Sequence, residues 1–186
     1  YYGNPNLKAE YGKGWDLGFS QAFNDGKLSL SSVLFGYDIE DKINYSYLTS
    51  SYANEERYKS EGLETSARFQ VSPDLSLTAA HTYSNAHYAD GREAERVPRN
   101  VYSLNANWRG FEDKLSLNAR FYHASSQYSL RSSMVKQSGY TTANFATQYQ
   151  LNDSTEVWIR VDNAFDEDYI EIEGYLTPGR ASYTGL

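Results

Sequence analysis

Cysteine is absent from the 186 residues, so the chain has no disulfide frame, no zinc–thiolate site and no cysteine nucleophile. That absence fits an envelope protein. No apolar run approaches the roughly 18 residues that a membrane-spanning helix needs, which removes a helical span and leaves a strand-built one open. A basic surplus is also lacking: the formal net charge is -7, and phosphate binding needs a basic face, so nucleic acid is not expected as a partner. Tyr1-Tyr2-Gly3 has neither a basic start nor an apolar segment, so the chain does not open on a signal peptide. The expectation is a leader already removed, or a chain that begins far downstream in a longer one.

Tyrosine is abundant, at 18, with 8 Phe and 3 Trp. The mean hydropathy is nevertheless -0.69. A soluble globule of this length, burying an ordinary core, would carry more Leu, Ile and Val. Strands that meet lipid on one side and water on the other give this mixture of many aromatics and low average hydropathy.

The patterning agrees. Short turn signals occur at Asn24-Asp25-Gly26-Lys27, Ser72-Pro73-Asp74, Gly110 to Lys114 and Asn152-Asp153-Ser154. They alternate with longer polar segments at 45–57, 85–99, 124–139 and 166–179. Between them apolar and polar residues alternate with period two. Trp15, Leu17 and Phe19 oppose Asp16, Gly18 and Ser20; Leu115, Leu117, Ala119 and Phe121 oppose Ser116, Asn118 and Arg120; Val157, Ile159 and Val161 oppose Trp158, Arg160 and Asp162. Nine strands are expected, the last beginning after Arg180. One of them breaks phase: Leu28 and Leu30 alternate out of step with Val33, Phe35, Tyr37 and Ile39, which predicts a bulge near Ser31-Ser32.

No constellation supports catalysis. No Gly-x-Ser-x-Gly occurs, and His81, His87 and His123 stand far apart in sequence, so no metal site is predicted. His81 and His123 fall on the bulky phase and are expected at a membrane interface. Asp162, Asp166, Glu167 and Asp168 lack the spacing of a calcium loop and read as solvated.

Two terminal segments carry a resemblance. Val161, Asn163, Phe165, Asp166 and Tyr169, followed by Gly174, Tyr175, Pro178, Gly179 and Arg180, resemble the end of the TonB-dependent outer-membrane receptor family, with Ala164 where that family usually has Leu. Gly3-Asn4-Pro5-Asn6-Leu7-Lys8-Ala9-Glu10 is similar to a segment that precedes a barrel strand in the same family, with Ala9 in place of Pro. The resemblance implies an all-β fold: an antiparallel up-and-down transmembrane barrel segment over residues 1–186, contributing about nine of about 22 strands. The plug domain would be absent from this chain. It further implies a cell outer membrane location in a Gram-negative cell, no enzymatic activity and no bound cofactor. The function implied is uptake of a large scarce nutrient, a ferric siderophore first, with haem or cobalamin as alternatives. The partners would be outer-membrane lipid, the receptor's own plug, TonB acting through an amino-terminal box outside these residues, and the iron–siderophore ligand.

Within that frame Glu64, Arg68, Arg120, Glu156, Arg160 and Asp162 would face the lumen and dock the plug. The ligand-facing candidates lie on the long loops: Tyr47, Tyr52, Arg57, His87, Tyr88, Arg92, Arg96, Tyr128 and Arg131. Tyrosine offers area at low entropic cost, and a guanidinium pairs with acidic groups. For each residue the competing account is a solvated loop or an interfacial ring of the aromatic girdle. Two other functions compete with uptake. A passive porin-like or structural barrel would share the strand pattern but not the two terminal motifs. A soluble carbohydrate-binding β-sandwich would bury one face against a second sheet.

Overall fold

Four tight turns set the frame. At Asn24 and Asp25 the backbone is left-handed (φ 54 and 52), followed by Gly26 at φ 84, conformations that Asn, Asp and Gly tolerate best. At the second turn Ser72 Oγ accepts from Leu75 N (3.1 Å), and at the fourth Asn152 Oδ1 accepts from Ser154 N (3.0 Å). The third turn is left-handed through Phe111, Glu112 and Asp113. The computed structural model describes residues 3–46, 49–54, 57–129 and 135–186. Tyr47 and Arg131 of the expected ligand-facing set lie outside the described residues.

The turns join four hairpins: β1 (Tyr11–Phe23) with β2 (Leu28–Glu40), β5 (Tyr58–Ser72) with β6 (Leu75–Tyr88), β7 (Asn100–Gly110) with β8 (Leu115–Ala124), and β11 (Tyr140–Asn152) with β12 (Thr155–Asp162). The connections at the opposite end are longer. Two of them carry hairpins of their own, β3 (Ile43–Ser46) with β4 (Ser51–Asn54), and β9 (Gln127–Tyr128) with β10 (Lys136–Gln137). A final strand, β13 (Ala181–Gly185), pairs with β12. The result is an all-antiparallel, nine-stranded sheet in the order β1-β2-β5-β6-β7-β8-β11-β12-β13, and it is not closed. Among the described residues there is no helix.

Because paired residues share a face, the register sorts the side chains. One face carries Leu17, Leu34, Leu63, Phe69, Leu77, Leu104, Leu117, Phe121, Phe145, Ile159 and Val161. The other carries Asp16, Ser31, Glu64, Ser66, Arg68, Thr78, Asn105, Asn118, Arg120, Gln148, Arg160 and Asp162. Cross-strand hydrogen bonds tie the polar face together: Ser31 to Ser66 (2.9 Å), Asn118 Nδ2 to Asn107 Oδ1 (2.7 Å) and Ser116 Oγ to Gln148 Oε1 (3.2 Å).

The expected bulge at Ser31-Ser32 is not there. β2 runs in unbroken register against both β1 and β5, with Ser32 opposite Phe19 and Thr65. The phase break is instead a change in what the polar face carries. From Val33 on, apolar side chains point to that face, over glycines that leave them room. A Cβ at Gly14 would meet the Tyr37 ring at 2.8 Å, and one at Gly62 would meet Phe35 at 2.5 Å. Large rings covering small residues across a strand pair stabilise the sheet without any insertion.

The sheet is a single layer. Leu17 (68% exposed) and Leu104 (43%), in the middle of their strands on the apolar face, have no second layer over them among the described residues. The main buried cluster lies at the long-loop end, where Ala86, Tyr88 and Ala94 pack with Tyr58 and Val97.

Candidate functional site at the long-loop end

The polar face changes character toward the long loops. Tyr37, Tyr58, Tyr88, Tyr122 and Tyr140 share it by register, and they end five of the nine strands in phenol rings. Tyr58 and Tyr88 meet edge to face at 5.6 Å, with Lys42 Nζ over them at 4.1 and 5.5 Å from the ring centres. Tyr140 stacks on Tyr169 at 4.2 Å and stands 5.9 Å from Tyr122. Two carboxylates complete the arrangement: Tyr88 Oη donates to Glu95 (2.9 Å), and Tyr140 Oη donates to Glu171 (2.7 Å). Burial, with Glu171 close by, holds the Tyr169 phenol above the ordinary tyrosine range.

The loops are tied to one another. Arg96 N donates to Tyr128 O (2.8 Å), and Glu95 bridges to Tyr128, which joins the second loop to the third. Gln127 Nε2 donates to Glu171 O (3.1 Å), joining the third to the fourth. The rings therefore sit on a connected rim. Such a surface offers stacking area, phenol hydroxyls and a cation at one end of a sheet face that is otherwise mostly polar.

The expected ligand-facing residues divide. Tyr52 is exposed and packs edge to face on Tyr45 at 5.7 Å. Arg57 is paired with Asp38, and Arg92 with Asp90, whose carboxyl the guanidinium holds below the usual range. Arg96 is exposed, with a left-handed backbone (φ 60). Tyr128 lies in the β9–β10 hairpin with Lys136 Nζ 5.7 Å from its ring centre. Two expectations need correction. His87 and Tyr88 belong to β6 and not to the loop, because the strand runs four residues further than the polar composition of 85–88 suggests. His87 falls on the apolar side of the register, and Tyr88 is 2% exposed, a packing ring at the rim. The composition missed Tyr37, Tyr58, Tyr122, Tyr140 and Tyr169. The signal was present, since the strand tyrosines share the phase of the polar residues below them.

Glu64, Arg68, Arg120, Glu156, Arg160 and Asp162 all lie on the polar face. Arg160 Nε is 3.2 Å from Asp162 Oδ2 and its guanidinium lies 4.5 Å from the Tyr183 ring centre. The other four are exposed. Among the described residues no three His, Asp or Glu side chains gather as a metal would require.

Both terminal motifs turn out to be clasps. Asn163, buried and left-handed (φ 48), accepts from Glu167 N (2.9 Å) and donates to Glu167 O (2.8 Å) and Pro178 O (3.5 Å), while Asn144 Oδ1 accepts from its own N–H (2.8 Å). Asp166 Oδ1 accepts from Arg180 N (2.7 Å); a side chain at Gly179 would meet that oxygen at 2.9 Å. At the other end Asn4 accepts from Asn6 N (2.9 Å) and donates to Tyr52 O (2.9 Å), and Lys8 N donates to Asn54 Oδ1 (2.7 Å). Each motif folds a loop back onto the rim.

A single antiparallel sheet with one apolar and one polar face, short turns at one end and long interlocked loops at the other, defines a segment of a membrane β-barrel. The sequence model of the family described as "TonB dependent receptor-like, beta-barrel" matches residues 1–164, and the chain belongs to that family. Among solved structures, FpvA of Pseudomonas aeruginosa bound to heterologous pyoverdines superposes with a TM-score of 0.78 at 19% identity, over 96% of this chain and 27% of that one. The ferric-catecholate import receptor Fiu of E. coli K12 gives 0.75 at 20%, over 97% and 28%. The ferric yersiniabactin uptake receptor FyuA of Yersinia pestis gives 0.77 at 16%, over 95% and 28%. At these identities the likeness is one of fold, and the chain spans little more than a quarter of each structure's length.

Proposed function

We propose that this chain forms the carboxyl-terminal part of the barrel of an outer-membrane active transporter that takes up a ferric siderophore, with haem or cobalamin as alternative cargo. The carrying observation is the rim of tyrosines at the loop end of the polar face, on a sheet whose fold matches receptors for pyoverdine, catecholate and yersiniabactin complexes. Further strands would close the sheet at β1 and β13, because unpaired edge groups in hydrocarbon cost several kcal/mol each (roughly). A plug in the lumen would meet Glu64, Arg68, Arg120, Glu156, Arg160 and Asp162, and TonB would engage the receptor through a box outside these residues. On the rim, Tyr52, Arg92, Arg96 and Tyr128 would reach the ligand, together with Tyr58 and Tyr122. Catalysis has no part in this reading.

The first test is the intact mass of the native product in the source cell's outer-membrane fraction. A mass several times 21.2 kDa supports the transporter, and titration of that complete protein with ferric siderophores should quench its fluorescence at sub-micromolar concentration. A product of about 21.2 kDa in the soluble fraction would reject it.

A further inference from the structure

The fourth long loop, residues 163–180 between β12 and β13, contains neither strand nor helix. Its ends are fastened by the Asn163 clasp and by the Asp166–Arg180 hydrogen bond, and within it Thr177 Oγ1 donates to Tyr169 O. Its middle meets the rest of the rim through one ring and one carboxylate. The Tyr169 ring lies on the Tyr140 ring (4.2 Å between centres, interplanar 20°), and the carboxylate of Glu171, two residues on, accepts from Tyr140 Oη (2.7 Å). Gln127 Nε2 adds one bond to the Glu171 backbone carbonyl (3.1 Å).

These are the contacts by which phenols on a fixed scaffold hold a small ligand: a flat ring takes the stacking face, and an anionic oxygen takes the hydroxyl proton. The scaffold side is fixed. Tyr140 opens β11 opposite Ala124, and Tyr122 on β8 pairs with Thr142 and stands 5.9 Å from Tyr140. Tyr140 is only 8% exposed, with Tyr169 stacked on it. The occupant is held far less firmly, because Tyr169 and Glu171 join no β-ladder and Ile170, Ile172, Tyr175 and Leu176 around them are exposed. Lifting the pair breaks one stack and two hydrogen bonds, and leaves the Asn163 clasp at the base of the loop closed.

We infer that Tyr122 and Tyr140 form a subsite for an aromatic ring bearing an anionic oxygen, phenolate or carboxylate, and that Tyr169 and Glu171 are internal stand-ins which such a ligand displaces. This rests on the reading of the rim as the ligand-binding surface. The exchange is ring for ring and anionic oxygen for carboxylate, so it conserves both the stack and the charge-assisted hydrogen bond. Glu171 must leave with the loop, since two carboxylates at one phenol repel each other. The loop's own hold on Tyr140 therefore sets the threshold for binding, because apparent affinity falls with the fraction of molecules whose subsite is open. An aliphatic group offers no flat face to Tyr140, so the subsite selects for the ring as well as for the charge.

The test uses the complete receptor in detergent and two iron-free probes, salicylate and its saturated analogue 2-hydroxycyclohexanecarboxylate, with dissociation constants taken from saturation-transfer NMR. Tyr169→Ala should tighten salicylate by at least about fivefold and change the analogue by less than about twofold. Tyr140→Leu in the Tyr169→Ala background should remove that gain; Tyr140→Phe, which keeps the ring and loses the hydroxyl, should remove part of it and serves if Tyr140→Leu does not fold. Tyr175→Ala, at the exposed tip of the same loop, should leave both probes unchanged. Unaltered salicylate binding in Tyr169→Ala, equal tightening of the two probes, or the same gain from Tyr175→Ala overturns the subsite. Ferric siderophores that fail to bind, with the salicylate pattern intact, would count against the cargo and not against the subsite.

Discussion

Asn163 shows how much a single side chain can organise. Its amide spans the start and end of the fourth long loop, its backbone is left-handed, and it is buried. Asn163→Ala should cost about 1–3 kcal/mol, since Glu167 N–H loses its acceptor and Ala disfavours that φ. Thermal unfolding of the complete receptor checks this, and an unchanged midpoint would mean that Asp166 and Arg180 hold the clasp alone. Tyr169, within the same loop, has its phenol pushed up by burial first and Glu171 second. The neutral ring is the form the fold favours, so its contribution is present below the unfolded value of about 10 and fades as pH rises through the folded one. Absorbance titration at alkaline pH should therefore lose one late-ionising phenol in Tyr169→Phe; loss of an ordinary one would place Tyr169 in water.

At the scale of the element, strand phase decides which substitution a position tolerates. Leu104 lies mid-strand on the apolar face of β7, and Asn118 on the neighbouring β8 bonds to Asn107 on the polar face. Leu104→Arg should cost about 2–4 kcal/mol in a bilayer. Asn118→Arg should cost about 1 kcal/mol, the loss of one hydrogen bond. The pair is measured by urea titration of the folded barrel in lipid, and the reverse order of costs would invert the two faces. β2 teaches the complementary lesson. Its Val33, Phe35, Tyr37 and Ile39 sit on the polar face, where Gly14 and Gly62 on the neighbouring strands make room for the rings of Tyr37 and Phe35. A period-two count sees only a shift of phase there, and a bulge is the local explanation for a fact whose cause is across the sheet.

For the whole molecule, the coupling of loops matters more than any one of them. Arg92 is held by Asp90, while the backbone at Arg96 is tied to the third loop through Tyr128. In the complete receptor Arg92→Ala and Arg96→Ala are each expected to weaken an anionic ferric ligand by about fivefold to tenfold, in fluorescence titration, with Arg96→Ala doing so without displacing the loop. Unchanged affinity in both would take the second loop out of the site. The family assignment belongs to this scale too, since it rests on matching residues 1–164 together.

What the chain's own order of residues determined was the nine strands of the main sheet (though not the two loop hairpins), the two faces, the alternation of short turns with long loops, and the six charged residues of the polar face. Period-two patterning and turn chemistry are local properties, written within a dozen residues of each other. Only the tertiary structure decided that Tyr88 is a buried rim ring, that Asn163 and Asn4 close clasps, and that Tyr122 and Tyr140 meet across β8 and β11. Those relations depend on register between strands far apart in sequence, and register is set by the pairing of the whole sheet.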